Sequence, residues 1–283
     1  MALMYIYAPK HRSILSMSHY IRKLSLMLSV VCCGSLSAQA FAQEPPTEDD
    51  PRGKADHGVA VDSAEAGMLL PYSVAPRTDS QRGVVKVLGG YDTTRERMQF
   101  EAVADVTIWG PIAIRAGAMY GQKSDTFRPT IGLRVQALSQ ERQGVDLGFG
   151  AFYKPEGFTE AEGEIEVMVM AARRFGRIGT FANLVYGQDP EGRERDGELR
   201  VGALYAVSLP LQVGLDARLR FDLGSEEKQR EKEGGAEYDI LFGPTASYAL
   251  GPVAIIAHAG LSVYGTEPAR VGAVALLGLA GAL

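Results

Sequence analysis

Leu211-Gln-Val-Gly-Leu-Asp-Ala-Arg-Leu-Arg-Phe-Asp-Leu223 alternates without a break. Leu211, Val213, Leu215, Ala217, Leu219, Phe221 and Leu223 fall on one parity, and Gln212, Gly214, Asp216, Arg218, Arg220 and Asp222 on the other. Successive side chains of a strand point to opposite faces, so one face here is wholly apolar and the other carries four charges. A half-buried strand in a soluble sheet alternates in the same way. Length separates the two cases. A typical strand has about 5–6 residues, whereas a tilted strand needs roughly 9–11 to cross a bilayer. This stretch is long enough to cross.

The same two-residue period runs from Gly83 to the end of the chain. It predicts twelve strands, over 83–92, 97–109, 111–121, 129–139, 144–154, 163–174, 177–187, 197–209, 211–223, 236–249, 252–265 and 270–282. The connections alternate too. Those after even strands are tight, as in Trp109-Gly110-Pro111, Phe175-Gly176-Arg177, Leu209-Pro210-Leu211 and Leu250-Gly251-Pro252, with the one after the fourth strand, Ser139 to Gly144, a little longer. Those after odd strands are mostly longer and more charged, as in 122–129, 155–162, 188–196 and 224–235. Odd strands also end in an aromatic residue: Tyr91, Tyr120, Tyr153, Tyr186, Phe221 and Tyr264. A ring of amphipathic aromatics at one level suits a membrane–water interface. Tyr264 falls on the opposite parity from its neighbours, which implies a bulge or an inward-facing ring. A loose repeat recurs every four strands, Gly110-Pro-Ile-Ala-Ile with Tyr120-Gly-Gln, then Gly176-Arg-Ile-Gly-Thr with Tyr186-Gly-Gln, then Gly251-Pro-Val-Ala-Ile with Tyr264-Gly-Thr.

Short turns at one rim and long polar loops at the other predict an all-β fold, an antiparallel up-and-down transmembrane barrel over 83–283. In these features the chain resembles Gram-negative outer-membrane β-barrel proteins of the porin-like type. The resemblance is architectural and covers Gly83 to Leu283. It implies insertion into a lipid bilayer and passive diffusion of solutes, and it hands over no substrate and no catalytic residue; the parity of the strands puts both termini at the short-turn rim, the periplasm. One feature departs from the resemblance. The chain ends Leu279-Ala-Gly-Ala-Leu283, where such barrels commonly close on an aromatic residue.

What precedes the strands reads as export and tether. Residues 1–42 carry a basic Arg22-Lys23, an apolar stretch Leu24–Leu36 and a small-residue cleavage site at Ala40-Phe41-Ala42, as a secretory signal peptide does. Met17 would start a signal of more ordinary length. Residues 43–82 are rich in Pro, Asp and Glu and predict a disordered lead-in. Within it, Met68-Leu-Leu-Pro-Tyr-Ser-Val74 is an apolar island, read either as tucked against the domain or as a plug.

Composition narrows the function. The 283 residues are 46% hydrophobic with 33 Gly, and outside residues 1–42 no window of about 18 apolar residues could form a membrane helix. Net charge is −5, and without residues 1–42 the balance becomes 25 basic against 34 acidic residues, or −9. An acidic chain with no basic patch is a poor ligand for nucleic acid. Both cysteines, Cys32 and Cys33, lie in the leader, and beyond it only His57 and His258 remain. No metal site or cofactor is implied. Along one strand His258 and Ser262 would stand roughly 13 Å apart, so they cannot be a base and its nucleophile. A hydrolase acting on lipid would need another serine, such as Ser208 or Ser247, beside His258.

The polar face carries the functional expectation. Glu101, Asp105, Arg115, Arg134, Asp146, Lys154, Glu164, Glu166, Arg200, Asp216, Arg218, Arg220 and Asp222 are all placed toward the lumen. They either form a pairing network that closes a small barrel or line a charged constriction. Barrels of about eight strands are filled by side chains and those of about sixteen hold water, so twelve lies between. The expected function is a narrow porin-like channel for small solutes; the alternatives are a closed structural or adhesin-type barrel and, last, a barrel enzyme.

Overall fold

The computed structural model describes residues 69–76, 83–121, 126–155, 163–190, 195–223, 238–265 and 268–282. It contains twelve strands: β1 (Gly83–Asp92), β2 (Arg97–Trp109), β3 (Ile112–Gly121), β4 (Thr126–Leu138), β5 (Asp146–Pro155), β6 (Gly163–Phe175), β7 (Ile178–Gln188), β8 (Arg195–Ala206), β9 (Leu211–Asp222), β10 (Tyr238–Leu250), β11 (Val253–Tyr264) and β12 (Arg270–Ala282). One helical turn, α1 (Gln140–Gln143), sits between β4 and β5. Each strand pairs antiparallel with its sequence neighbours, and β1 closes on β12 from Val84↔Ala282 to Asp92↔Val274. The result is a closed up-and-down barrel, with strand boundaries within three residues of those the alternation predicts.

Alternation sets the two faces. On β9, Leu215 is 50% exposed while Asp216 beside it is fully buried. Leu184, Leu277, Val271, Ile131 and Leu279 stand outward in the same way on other strands. So continuous an apolar exterior suits hydrocarbon and not water.

Turn chemistry explains the tight rim. Gly110, Gly176 and Gly251 have φ of 47°, 57° and 64°, in the left-handed region that a Cβ disfavours. Gly144, with φ 79°, ends α1 by donating its N–H to the Gln140 carbonyl at 2.9 Å. Both ends of the barrel chain, Gly83 and Ala282, lie at this short-turn rim.

Two expectations need correction. Tyr264 does not join an outer ring: the β10–β11 register runs unshifted from Asp239↔Tyr264 to Leu250↔Val253, so its ring turns inward, beneath the guanidinium of Arg95 at 4.8 Å. Tyr91, Tyr153, Tyr186 and Phe221 face outward at the long-loop end, and Tyr120 faces outward by register but is only 7% exposed. The second correction concerns the lead-in. Residues 69–76 are not free chain; every one of them is buried. They touch inward-facing side chains from opposite sides of the barrel, which places them inside it. The remainder of 43–82 lies outside the described residues, as do 1–42.

If the two faces are read correctly, Leu215→Arg puts a charge in the middle of the outward band and lowers stability by about 2–4 kcal/mol. Leu215→Ile, which keeps volume and polarity, costs less than about 1.5 kcal/mol. Denaturant titration of protein folded into lipid vesicles measures both, and equal tolerance would contradict the assignment.

Candidate functional site

The lumen is divided into two sectors, and the buried segment 69–76 is the divider. A chain segment inside a closed barrel meets no free strand edge, because the wall's backbone groups are already paired with one another. Its own amides and carbonyls must therefore be met by side chains. The wall provides them. Asp216 Oδ2 accepts the Tyr72 N–H at 2.6 Å and the Ser73 N–H at 3.4 Å, and Oδ1 accepts the Ser73 hydroxyl at 2.7 Å. Asn183 reads Val74 on both sides, accepting its N–H at 2.7 Å and donating to its carbonyl at 2.8 Å. Lys86 donates to the carbonyls of Leu70 and Pro71, each at 3.2 Å. Arg200 reaches the Tyr72 carbonyl at 3.5 Å, and Arg134 bonds the Ala75 carbonyl.

Apolar contacts complete the seat. Leu69, Leu70 and Ala75 cluster with Leu88, Phe181, Leu204 and Ile256. Val74 lies among Phe152, Met168, Met170 and Val185, and Tyr72 against Leu241, Val274 and Leu276. Two inward glycines make room. A Cβ on Gly202 would stand 2.7 Å from the Leu70 side chain and 3.0 Å from the Ser73 hydroxyl, and one on Gly148 would stand 2.9 Å from Pro76. The apolar inner residues against which the segment packs come from β1, β5, β6, β7, β8, β10, β11 and β12.

On the other side, toward β1–β5, a cavity of about 140 Å³ runs between residues 71–75 and the wall. Lys86, Arg115, Arg134, Lys154, Arg200 and Arg218 line it, against three carboxylates, Glu101, Asp105 and Glu166. Asp105 accepts a bidentate pair from Arg115 at 2.8 and 2.6 Å and an ion pair from Arg134 at 2.9 Å, joining three neighbouring strands. Glu166 pairs with Lys154. Glu198 is shared by Arg200 at 2.5 Å and Arg218 at 3.1 Å, and Arg218 also reaches Asp239 at 3.4 Å. Glu101 has no ion pair among the described residues.

The remaining residues expected in the lumen lie elsewhere along it. Asp146 sits at the short-turn rim, where it accepts the Gln140 N–H at 2.7 Å and steadies α1. Glu164 shares the space over Gly187 with Asp196 near the long-loop end. Arg220 pairs with Asp196 at that end and is half-exposed, and Asp222 faces inward opposite Asp196 in register. Asp216 faces inward but is spent on the segment. Lys86 and Asn183 were not foreseen; Asn183 is a single amide on an otherwise apolar inner face of β7.

His258 meets the edge of the Tyr72 ring, centroids 5.2 Å apart, and makes no hydrogen bond among the described residues. Its cross-strand neighbours are Thr245 and Leu276, while Ser262 contacts Thr94 at 2.6 Å and Ser247 stands opposite Ile256. Among the described residues no serine is hydrogen-bonded to the imidazole.

No family model matches the chain, and no curated protein matches it in sequence. Solved structures do. The NanC porin superposes with a TM-score of 0.53 at 10% identity, covering 70% of this chain and all of NanC. The KdgM porin in complex with disordered oligogalacturonate gives 0.50 at 7% identity, covering 71% of this chain and 99% of KdgM. The outer-membrane channel COG4313 from Pseudomonas putida F1 gives 0.48 at 9% identity, covering 75% and 98%. The structural neighbours are outer-membrane porin-like barrels, and at these identities the likeness is one of fold.

Removing the Asp216 carboxylate leaves two buried amides and a hydroxyl without their acceptor, a loss of about 1–3 kcal/mol for each buried group. Asp216→Ala is therefore expected to speed hydrogen exchange at Tyr72, Ser73 and Val74 while the barrel ladder stays protected. Unchanged exchange there would show that the segment is held by its apolar contacts alone.

Proposed function

We propose that the protein is a narrow porin-like diffusion channel of the outer membrane, exported by residues 1–42, with both barrel termini in the periplasm and a preference for small anions. The cavity beside residues 71–75 carries the reading. Six cationic and three acidic side chains line it, an excess of three positive charges. The carboxylates Glu198 and Asp239, which pair with two of these arginines, do not face it. Where little water intervenes, charges on the lining are weakly screened and a passing ion feels them directly. Resemblance in fold to channel proteins supports the same reading. It supports no particular solute.

The ion pairs favour one alternative, a closed barrel whose lumen charges serve only to hold the wall together. Planar-bilayer recordings separate the two. A channel gives discrete conductance steps, with a reversal potential displaced toward the anion under a tenfold potassium chloride gradient. Arg218→Gln is expected to move that potential toward the cation, and Glu101→Gln to move it further toward the anion. Absence of any conductance would favour the closed barrel. Equal potentials in all three proteins would remove the lining charges from selectivity.

A further inference from the structure

We infer that the lumen contains a peptide-binding site, that residues 69–76 occupy it as a tethered ligand, and that this occupancy limits the width of the channel. The conductance part rests on the channel reading above; the binding part does not.

The argument starts from how the segment is held. A stretch that merely filled space would need apolar contacts and little else, and its buried backbone would be left wanting. Here the wall matches the backbone. The carbonyls of residues 70, 71, 72, 74 and 75 each accept from a side chain, and the amides of 72, 73 and 74 each donate to one. These partners come from five strands, Lys86 on β1, Arg134 on β4, Asn183 on β7, Arg200 on β8 and Asp216 on β9. Pro71 and Pro76 bring no N–H that would need an acceptor at those positions. Backbone recognition is then combined with three side-chain niches, for Leu70 over Gly202, for Tyr72 beside His258, and for Val74 among Phe152, Met168 and Met170. Hydrogen bonds along the backbone with alternate niches for side chains are how extended peptides are recognised at sheet edges. This site meets a bent segment with the same two elements, and without an edge.

The ligand class follows: an uncharged peptide of about eight residues that bends over its first half, as residues 69–72 do, with a small hydroxyl residue placed to reach Asp216 and an aromatic residue before it. Negative charge on the peptide would be disfavoured beside Asp216, which is fully buried. Because residues 71–75 also form one side of the cavity, taking them out joins the cavity to the space they vacate.

The test replaces residues 69–76 of the full chain with alternating glycine and serine. The probe is the synthetic, terminally blocked octapeptide Leu-Leu-Pro-Tyr-Ser-Val-Ala-Pro carrying a fluorophore, with a scrambled octapeptide as control. In detergent, the replaced protein is expected to bind the octapeptide saturably and at least tenfold more tightly than the scrambled one. The native chain, its site filled, binds neither. Adding Asp216→Ala to the replaced protein weakens binding at least tenfold. In bilayers the replaced protein conducts several-fold more than the native chain, and the octapeptide lowers that conductance again. Ser73→Asp, which sets a carboxylate against Asp216, displaces the segment without altering its length and is expected to give the same gain should the replacement fail to fold. Binding no better than the scrambled control, or native and displaced proteins that conduct equally and measurably, overturns the inference. Saturable binding with no conductance in any protein overturns the channel reading and leaves the peptide site standing.

Discussion

Closure of the hydrogen-bonded ladder is the constraint on which everything else in this protein depends. With β1 paired to β12, no strand edge is left open, and the wall can stand in a medium that offers its backbone no partners. Closure also locks the register. A slip of one residue would turn every outward Leu and Val into the lumen and every inward Arg and Asp into the surrounding medium. The unshifted register from Tyr238↔Phe221 to Tyr248↔Leu211 is therefore enforced by the side chains as much as by the bonds.

The interior inherits the consequences. A lumen with the wall's backbone already satisfied can accept a guest chain only through side chains, which explains why Asp216, Asn183, Lys86 and Arg134 face inward at the level of residues 70–75. It also explains the uneven chemistry of the inner face. Apolar inner residues such as Leu88, Phe152, Met170, Leu204, Leu241 and Ile256 form small clusters with the segment. Between them stand charged inner residues, and those that line the cavity come from β1 to β5 and also from β6, β8 and β9, as Glu166, Arg200 and Arg218.

Much of this was legible in the chain. Strict alternation over Leu211–Leu223 fixes the parity of its neighbours through pairing, and positive-φ glycines at 110, 176 and 251 mark the tight rim. Tyr264 was legible as an anomaly, and its parity alone turns it toward Arg95. What alternation does not encode is depth. Asp146 and Asp105 share an inward parity, yet one steadies α1 at the rim while the other binds two arginines in the cavity. Nor does it encode occupancy. The apolar island at 68–74 was visible, but its seat is assembled from single residues on many strands, each unremarkable locally, such as Asn183 and Gly202.

Pairing of the lumen charges does not by itself decide between a channel and a closed barrel. An ion pair cancels the distant field of its members but leaves their near field, and a solute in a narrow passage samples the near field. What counts is which member of each pair faces the passage. Arg200 and Arg218 face it, while their carboxylate partners Glu198 and Asp239 stand aside. Arginine suits this position because its planar fork can stay engaged with a carboxylate and still present donors to the cavity. Arg115, held on Asp105 by two hydrogen bonds, shows the other half of the arrangement: the bonds that brace the wall also keep a long cationic side chain from swinging across the cavity.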